Sequence, residues 1–502
     1  MSHSKKIMRN SGYTLAYKML NVVLSFITRK IFLIYLSSEL LGLNSLFTDL
    51  LGLLNLADMG LGMALQYNLY KPLAEKDNEK VAKLLNAAKK IYNTVGLMMI
   101  VVGIILSFFI QYLIKDNPYS LEFIRLVFII NVISNASTYF FAHKRLFLHA
   151  TEDVYITNII DSIIFIVSSM AKILVIVFWK NYYLYIIIDV VYSFVSNAIV
   201  SYVCDGKYKY LSQYKGYSKN EMKVLGDNMK ELIPNKIGAF VFNNTDNTII
   251  SAFLGLTMVV YYTNYFTITN QVFLIAPIIA GVVKVSFGNV VQEQKEEKQH
   301  MFFLNSFQLV QFFYSSICGV LLFCMLDEFV GFWYGKEYIL SLSFLIILTL
   351  DFFVHSMYQP LSMLLEVIGD FSVLKKQQLI SMTLNLIISI GLITPFGIIG
   401  PIVGTLIADI ITLIFRIYTV LYVHYNDYCK EYIIKLIKYY CVFLAEYIVC
   451  FIICSVISLD ITLVSLIIKS VMIFIFVIGI NVTIFYNTDE FKYIKNKFVI
   501  RR

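Results

Sequence analysis

Residues 95–114 read VGLMMIVVGIILSFFIQYLI, a run of twenty residues without a charged side chain. An α-helix of about 20 apolar residues is long enough to cross the hydrocarbon core of a bilayer. Residues 465–485, SLIIKSVMIFIFVIGINVTIF, form a second such run with a single lysine. Both runs therefore predict membrane-spanning helices rather than buried helices of a soluble domain.

The composition of the whole chain agrees with these two runs. Of its 502 residues, 59% are hydrophobic and 15% are charged, whereas soluble domains carry about 25% charged residues. The net charge of +8 fits basic cytoplasmic loops better than nucleic-acid binding. The seven cysteines have no paired spacing, so we expect neither disulfides nor a metal site.

Hydropathy predicts an all-α polytopic membrane protein with about fourteen transmembrane helices. The predicted spans are 13–36, 41–67, 91–114, 122–142, 156–179, 184–203, 232–255, 257–284, 301–326, 339–362, 377–394, 398–422, 437–457 and 462–486. The segment 71–90 is expected to form an amphipathic cytoplasmic helix that links spans 2 and 3 or lies on the leaflet surface.

The distribution of Lys and Arg predicts the orientation. The loops on one side of the predicted membrane carry 28 of these residues, and those on the other carry three, Lys115, Lys180 and Lys336. Cytoplasmic loops hold the excess of positive charge, so we expect both termini in the cytoplasm. The external loops are too short for a catalytic domain, and no GxxxxGK[ST] motif occurs. We therefore expect a protein that is not an enzyme and has no cofactor.

A weak internal similarity predicts two repeats. YLSSELLGLNSLF (35–47) aligns with FLGLTMVVYYTNY (253–265) at an offset of 218 residues. Unless this is coincidence, spans 1–6 and 7–12 form two six-helix lobes related by pseudo-two-fold symmetry, an architecture of transporters. The expected division is 1–215 for the first lobe, 216–425 for the second, and 426–502 for two extra helices and a cytoplasmic tail.

Polar residues within the spans predict a cationic cavity between the lobes. Charged side chains inside a membrane are costly and usually face protein or water. Positions eleven apart lie three turns along one helix face, which groups Lys18 with Arg29 and Lys236 with Asn247. The candidate cavity residues are Lys18, Arg29, Lys30, Lys236, Asn243, Asn247, Asn264, Gln271 and Lys284. Arg and Lys would bind an anionic group, and amides would bind sugar hydroxyls; the alternative is that the basic residues snorkel to the interfaces.

Two carboxylates in the spans are candidates for a coupling ion. Asp246 lies within NNTDNTIIS (243–251), too deep to reach water easily, and Asp58 lies in LADMGLG (56–62). Each is either half of a structural ion pair or part of a site for a coupling cation. For Asp246, Thr245, Asn243 and the basic residues of span 1 are the candidate partners. Other intramembrane charges are expected to form pairs between spans: Asp161, Lys172, Asp189, Asp351, Asp409, Arg416, Glu446 and Lys469.

Two stretches resemble a known family. LFTDLLGLLNLADMGLGMALQYNLYKPLAEKDNEK (46–80) and NKIGAFVFNNTDNTIISAFLGLTMVVYYTNYFTI (235–268) are similar to the second and seventh spans of the polysaccharide-transport group of the multidrug/oligosaccharidyl-lipid/polysaccharide exporter superfamily. Members often carry Gly-x-Tyr after the external turn, where this chain has Val260-Tyr261-Tyr262. The departure puts the local turn geometry in doubt and leaves the assignment in place.

The resemblance implies a bacterial flippase that acts by alternating access. Its substrate would be an undecaprenyl-diphosphate-linked oligosaccharide repeat unit, moved from the inner to the outer leaflet of the cell membrane for capsule or other surface polysaccharide. Coupling to H⁺, Na⁺ or the membrane potential, cooperation with a polysaccharide polymerase and assembly proteins, and a monomeric state are further expectations.

Three alternatives to this function remain open at the level of sequence. Two belong to the same superfamily, a flippase for the lipid-linked peptidoglycan precursor and a cation-coupled multidrug exporter. A membrane polysaccharide polymerase belongs to a different class of protein, and it would need a large loop outside the bilayer with catalytic residues.

Overall fold

The computed structural model describes residues 3–55, 61–116, 118–214, 216–217, 221–223, 225–226, 245–276, 296–368, 371–456 and 462–499. These residues are almost entirely helical, and they fall into two compact units, Met1–Val260 and Tyr261–Arg502. Helix α9 begins in the first unit and ends in the second.

The first unit contains helices α1 to α8 and the start of α9. Their bounds are α1 His3–Tyr35, α2 Ser38–Leu54, α3 Leu61–Glu75, α4 Asn78–Ser107, α5 Leu121–Ala150, α6 Val154–Leu174, α7 Tyr182–Lys207, α8 Asp246–Leu254 and α9 Leu256–Phe273. A short 3₁₀ helix, Ile110–Leu113, follows α4, and a π-helical turn, Val175–Trp179, extends α6.

Among the described residues, the second unit contains the rest of α9 and eight further helices. They are α10 Glu297–Trp333, α11 Leu342–Met357, α12 Gln359–Ile368, α13 Phe371–Phe396, α14 Ile399–Arg416, α15 Asn426–Val456, α16 Leu463–Phe485 and α17 Asp489–Val499. A π-helical turn, Ile417–Tyr422, extends α14.

The prediction of an all-α multi-pass membrane protein is confirmed. Within the described residues, ten helical segments are long and apolar enough to cross a bilayer. The total of fourteen spans stays a prediction, because much of predicted spans 7 and 8 lies outside the described residues.

The prediction for segment 71–90 was wrong. This segment comprises the end of α3 and the start of α4, which are separated by a turn at Lys76 and Asp77 rather than joined in one amphipathic helix. Lys76 adopts a positive φ of 56°, and the carboxylate of Asp77 accepts a hydrogen bond of 2.9 Å from the backbone N–H of Lys80. This N-cap starts α4 in water, and the helix then continues directly into the membrane span.

Helix α5 lies at the centre of the first unit, where it packs against α4 and α7, while α1 packs against α6. The aromatic rings of Phe47 and Phe128 join α2 to α5 with centroids 5.0 Å apart. Helix α2 approaches the start of α9 closely. A Cβ on Gly42 would lie 2.1 Å from the carbonyl oxygen of Leu256, so only glycine fits at this position.

Helix α10 is the core of the second unit, and α15 and α16 pack on it through buried polar contacts. The hydroxyl of Ser316 on α10 donates to Glu446 and accepts from the amide of Asn481 at 3.1 Å. Lys469 pairs with Glu328 at 2.7 Å. Helices α15 and α16 thus belong to the same compact unit as α10. The predicted boundaries at 215/216 and 425/426 follow the repeat rather than compactness, and they stay predictions.

Candidate functional site

Three helices of the first unit meet at a buried ion pair between Arg145 on α5 and Asp161 on α6. The guanidinium binds the carboxylate through two parallel hydrogen bonds of 2.6 and 2.9 Å. From α7, the hydroxyl of Ser196 donates to Asp161 at 2.5 Å and accepts from Arg145 at 3.1 Å, and the Asn197 carbonyl accepts from Arg145 Nε at 2.9 Å. We call these four residues the arginine knot.

The arginine knot balances its own charge between the three helices. A fork-to-fork Arg–carboxylate pair satisfies both ions, which offsets much of the cost of taking them out of water. Four of the five N–H groups of Arg145 are used by these contacts, and one on Nη1 is left for another acceptor. The knot is therefore a rigid, neutral surface of hydrogen-bonding groups.

One side of the arginine knot faces a cleft of about 400 Å³ within the first unit. We call it the polar cleft and define it by Tyr17, His149 and Tyr192 together with the knot residues Arg145, Asp161 and Asn197. The side chains of Tyr17 and Tyr192 lie close to each other in this cleft. Its volume lies within the range of small-molecule sites, about 300–1,000 Å³.

A second polar site of the first unit joins α2 and α8, which pack together. The side chain of Asn247 lies near the carboxylate of Asp49, and Asp246 lies close enough to repel Asp49 electrostatically. Among the described residues, the buried side-chain oxygen of Asn247 has no hydrogen-bond donor. We call Asp49 and Asp246 the carboxylate pair, beside which Asn247 lies.

Two carboxylates this close in a membrane segment repel each other strongly, because little water screens them. A shared proton or a bound cation relieves that repulsion. Two carboxylates and an amide oxygen are also the oxygen ligands that hard cations such as Na⁺ accept. The structure brings an acid, Asp49, near Asp246. The partners expected for Asp246 from the sequence stay predictions.

At the start of α2, Glu39 links this helix to the start of α9. Its carboxylate accepts a hydrogen bond of 3.1 Å from the hydroxyl of Thr257. Partial burial raises the pKa of Glu39, but hydrogen bonds from its own backbone and from Ser37, Thr257 and Ser38 outweigh it, so the pKa lies below its ordinary value.

The predicted cationic residues of α1 occupy different environments. Lys18 is exposed, whereas Arg29 and Lys30 are partly buried. Arg29 lies near Tyr185 on α7, whose ring also has Lys172 Nζ at 4.6 Å from its centroid. Arg29 thus faces other elements of its own unit.

The remaining predicted site residues divide into described and undescribed ones. Asn264 is fully buried and Gln271 is exposed. The others lie outside the described residues, and their roles stay predictions: Asp58, Lys236, Asn243 and Lys284.

The second unit contains a polar network around Asp409 on α14. His355 on α11 lies with its Nδ1 2.6 Å from the carboxylate, and the hydroxyl of Tyr358 donates to the same group at 3.2 Å. Arg416 stacks over the ring of Tyr358, 4.2 Å from its centroid, and its Nε donates to the side-chain oxygen of Gln377 at 3.1 Å.

Sequence reasoning missed Asp49, Arg145 and His355 as members of polar sites. Each is a single polar residue near or within an apolar stretch, and what makes it notable is a partner on another helix. For His355, only the fold shows the contact with Asp409. The expectation that intramembrane charges pair between spans holds for Lys172 with Asp189 and for Lys469 with Glu328.

Comparison with solved structures identifies the fold. No family model matches the chain. The structure of the lipid II flippase MurJ in an inward closed conformation aligns with a TM-score of 0.71 over 95% of this chain and 99% of that one, at 16% identity. An inward-facing MATE family multidrug transporter of the MOP superfamily aligns with a TM-score of 0.61 over 83% of this chain and 98% of that one, at 13% identity. The chain has the MurJ/MATE fold.

A curated relative adds a match in sequence. The probable low-salt glycan biosynthesis flippase Agl15 of Haloferax volcanii is 26% identical over 239 residues. The match covers 47% of this chain and 48% of the relative, so the chain spans about half the length of the curated relative it matches. The proteins found in both comparisons are flippases or transporters, in line with the expectation of a transporter rather than an enzyme.

Within the MurJ/MATE fold, the two candidate sites lie on different helices of the first unit. The polar cleft involves α1, α5, α6 and α7, and the carboxylate pair involves α2 and α8. One joins an Arg–carboxylate pair to hydrogen-bonding groups, and the other brings two carboxylates near each other. They are therefore suited to different ligands.

Proposed function

We propose that this protein is a flippase for lipid-linked oligosaccharides. The observation that carries the proposal is the MurJ/MATE fold over nearly the whole chain, supported by the sequence match to a glycan flippase. The substrate would be an undecaprenyl-diphosphate-linked repeat unit that crosses a bacterial cell membrane from the inner to the outer leaflet, for capsule or another surface glycan. Both termini would lie in the cytoplasm.

The proposed transport runs by alternating access between the two predicted lobes. The diphosphate headgroup would be attracted by basic residues of the spans, with Lys18, Arg29, Lys30, Lys236 and Lys284 as candidates, while the lipid tail stays in the bilayer. Fixed cationic groups in a site with little water attract an anion more strongly than they would in solution. A polymerase and assembly proteins would receive the product.

The carboxylate pair is the proposed site of the coupling ion. A proton or Na⁺ bound between Asp49 and Asp246 removes their repulsion, so its binding and release favour different arrangements of α2 and α8. An ion shifts such an equilibrium only by the difference in its affinity for the two states. The expected result is that Asp246→Ala abolishes the surface glycan while the protein remains in the membrane.

Deletion of the gene tests the function itself. We expect lipid-linked repeat units to accumulate on the inner leaflet, and the wild-type gene to restore export. Accumulation is measured by accessibility of the lipid-linked sugars to a probe in inside-out and right-side-out vesicles. Equal distribution in the deletion and wild-type strains would contradict a flippase.

A flippase for the lipid-linked peptidoglycan precursor is the second candidate, favoured by the alignment with the lipid II flippase structure. It makes a different prediction, because peptidoglycan is needed for cell integrity. Depletion of the protein would then lyse the cells, and any loss of a surface glycan would be only a consequence of lysis. Viable deletion cells without the surface glycan would exclude this candidate.

A further inference from the structure

We infer that the polar cleft of the first unit is a binding site for a neutral sugar ring, so that the glycan and the diphosphate of one substrate bind at separate places. This inference rests on the proposed function, since it assigns a part of the transported molecule to residues of the structure. The cleft lies wholly within the first unit.

The charge of the arginine knot selects against a phosphate. Arg145 is the strongest cation in the cleft, but it donates two hydrogen bonds to the carboxylate of Asp161, which neutralises its charge. A phosphate at this place would meet the carboxylate of Asp161 at short range, and like charges in a poorly solvated site repel strongly. A diphosphate would therefore bind better elsewhere.

The hydrogen-bonding groups of the cleft that are not used within the arginine knot suit the hydroxyl and acetamido groups of a sugar. Asp161 keeps unused lone pairs, Arg145 keeps one N–H, and Tyr17 and Tyr192 present hydroxyls and ring faces. A ligand hydroxyl can donate to the carboxylate and accept from the guanidinium at once. Because the knot already fixes these groups in place, a ligand binds without the entropic cost of ordering them.

The second unit provides an internal comparison for the cleft. The predicted repeat offset of 218 residues relates three positions of the arginine knot to three positions of the second unit, to within two residues. Arg145 corresponds to Ser362, Asp161 to Gln377, and Asn197 to Arg416. The three residues of the second unit also form a knot, in which Arg416 donates to Ser362 and to Gln377.

The two knots differ in what faces them. The ring of Tyr358 covers Arg416 at 4.2 Å, whereas a cleft of about 400 Å³ lies beside Arg145. Structural need alone explains a knot in each unit, because each holds three helices together. It does not explain why one knot is covered and the other borders a cleft, and the sugar site accounts for that difference.

Photo-crosslinking in living cells tests the inference without knowledge of the sugar. Leu146, which lines the cleft, is replaced by p-benzoyl-phenylalanine, and Ile163, which is 55% exposed on α6, is replaced in a matched control. Adducts formed under ultraviolet light are treated with mild acid, which cleaves the allylic diphosphate and separates lipid from glycan. We expect the adduct at residue 146 to keep the glycan and to lose the lipid.

Other outcomes decide against the inference in distinguishable ways. If acid removes the glycan from residue 146 and leaves the lipid attached, the transported substrate is confirmed but the sugar site is wrong. If residue 146 captures only phospholipid or nothing, the sugar site is wrong as well, and the deletion strain decides the function separately.

A cavity-filling variant adds an independent measurement. Ala142 lines the cleft, and Ala142→Phe fills it while leaving the arginine knot in place. We expect the glycan adduct at residue 146 to fall at least tenfold, with the melting temperature preserved. The control Ile163→Phe should leave that adduct unchanged. An unchanged glycan adduct in Ala142→Phe would overturn the inference.

Discussion

Asp161 is the residue at which a single change should destabilise the first unit most. Asp161→Ala leaves the partly buried Arg145 without its counter-ion, and breaking a fully buried pair costs about 3–5 kcal/mol. Because Arg145 borders the polar cleft, we expect a loss in the free energy of unfolding below that range but well above zero, measured by chemical denaturation in detergent micelles.

An exposed ion pair supplies the matched control for Asp161. Glu75 lies 3.8 Å from Lys71 with both side chains largely exposed, and such pairs contribute about 0–1 kcal/mol. Glu75→Ala should therefore change the stability little. Equal effects of the two substitutions would show that the arginine knot does not stabilise the fold.

Asp49 should separate stability from transport. Asp49→Asn removes the repulsion with Asp246 and retains a side chain able to bond Asn247. Because the substitution removes one of two like charges, we expect the melting temperature to stay equal or rise. Transport should lose its dependence on a Na⁺ or proton gradient. Transport is followed in proteoliposomes, with Asp116→Asn in an exposed turn as the control; a variant that keeps wild-type gradient dependence would refute the coupling role.

The case of Asp246 shows how far a sequence can predict a site. Its position deep in an apolar run was enough to mark it as a residue that needs a partner, a proton or a cation. Its neighbour Asp49 lies far away in the chain, within the apolar stretch LFTDLLGLL, which gives no hint of a partner. Only the packing of α2 against α8 brings the two together, and no local pattern encodes that contact.

At the scale of elements, Gly42 sets how closely α2 approaches α9. Gly42→Ala would place a Cβ at 2.1 Å from the carbonyl oxygen of Leu256, so the backbone of one element must move. We expect a lower melting temperature in detergent. Gly206→Ala in α7 is the control, because its Cβ meets nothing within 4 Å; alanine there should stabilise the helix by up to about 1 kcal/mol. A Gly42→Ala variant as stable as Gly206→Ala would contradict the close approach.

The contact between Glu39 and Thr257 should make the junction of α2 and α9 sensitive to acid. Because the pKa of Glu39 is lowered in the folded state, its ionised form adds stability above the unfolded pKa, and this is lost as the pH falls through the folded pKa. We expect the melting temperatures of wild type and Glu39→Gln to differ at neutral pH and to converge in acid. Thr257→Val should reduce the neutral-pH difference, and parallel curves at all pH values would contradict this role.

Hydropathy predicted the helices well because it reflects whether a segment lies in an apolar or an aqueous environment. It failed to predict a turn that depends on the backbone conformation and capping of particular residues. The segment 71–90 has an amphipathic pattern, yet the chain turns at Lys76 and Asp77, where the Asp77 cap starts a new helix. The repeat itself stays a prediction, because the described contacts do not test it.

At the scale of the whole molecule, two divisions of the chain compete. The repeat predicts a boundary at 215/216, whereas compactness divides the chain after Val260, within α9. The first position lies in a connection, where the side-chain amide of Asn86 donates to the carbonyl oxygens of Tyr214 at 3.0 Å and of Gly216 at 3.1 Å. The second position lies inside a helix.

Expressing the chain as two fragments distinguishes these divisions. Fragments cut at 215/216 should assemble, because every helix is intact and Asn86 can hold both new ends. A cut at 260/261 severs α9 and exposes unpaired backbone groups in the bilayer, each of which costs several kcal/mol. We therefore expect a tag on one fragment to co-purify its partner, with a cooperative melting transition, only for the cut at 215/216. This readout does not depend on the transported substrate, and equal or better assembly from the cut at 260/261 would show that the compact units, rather than the repeats, are the folding units of the protein.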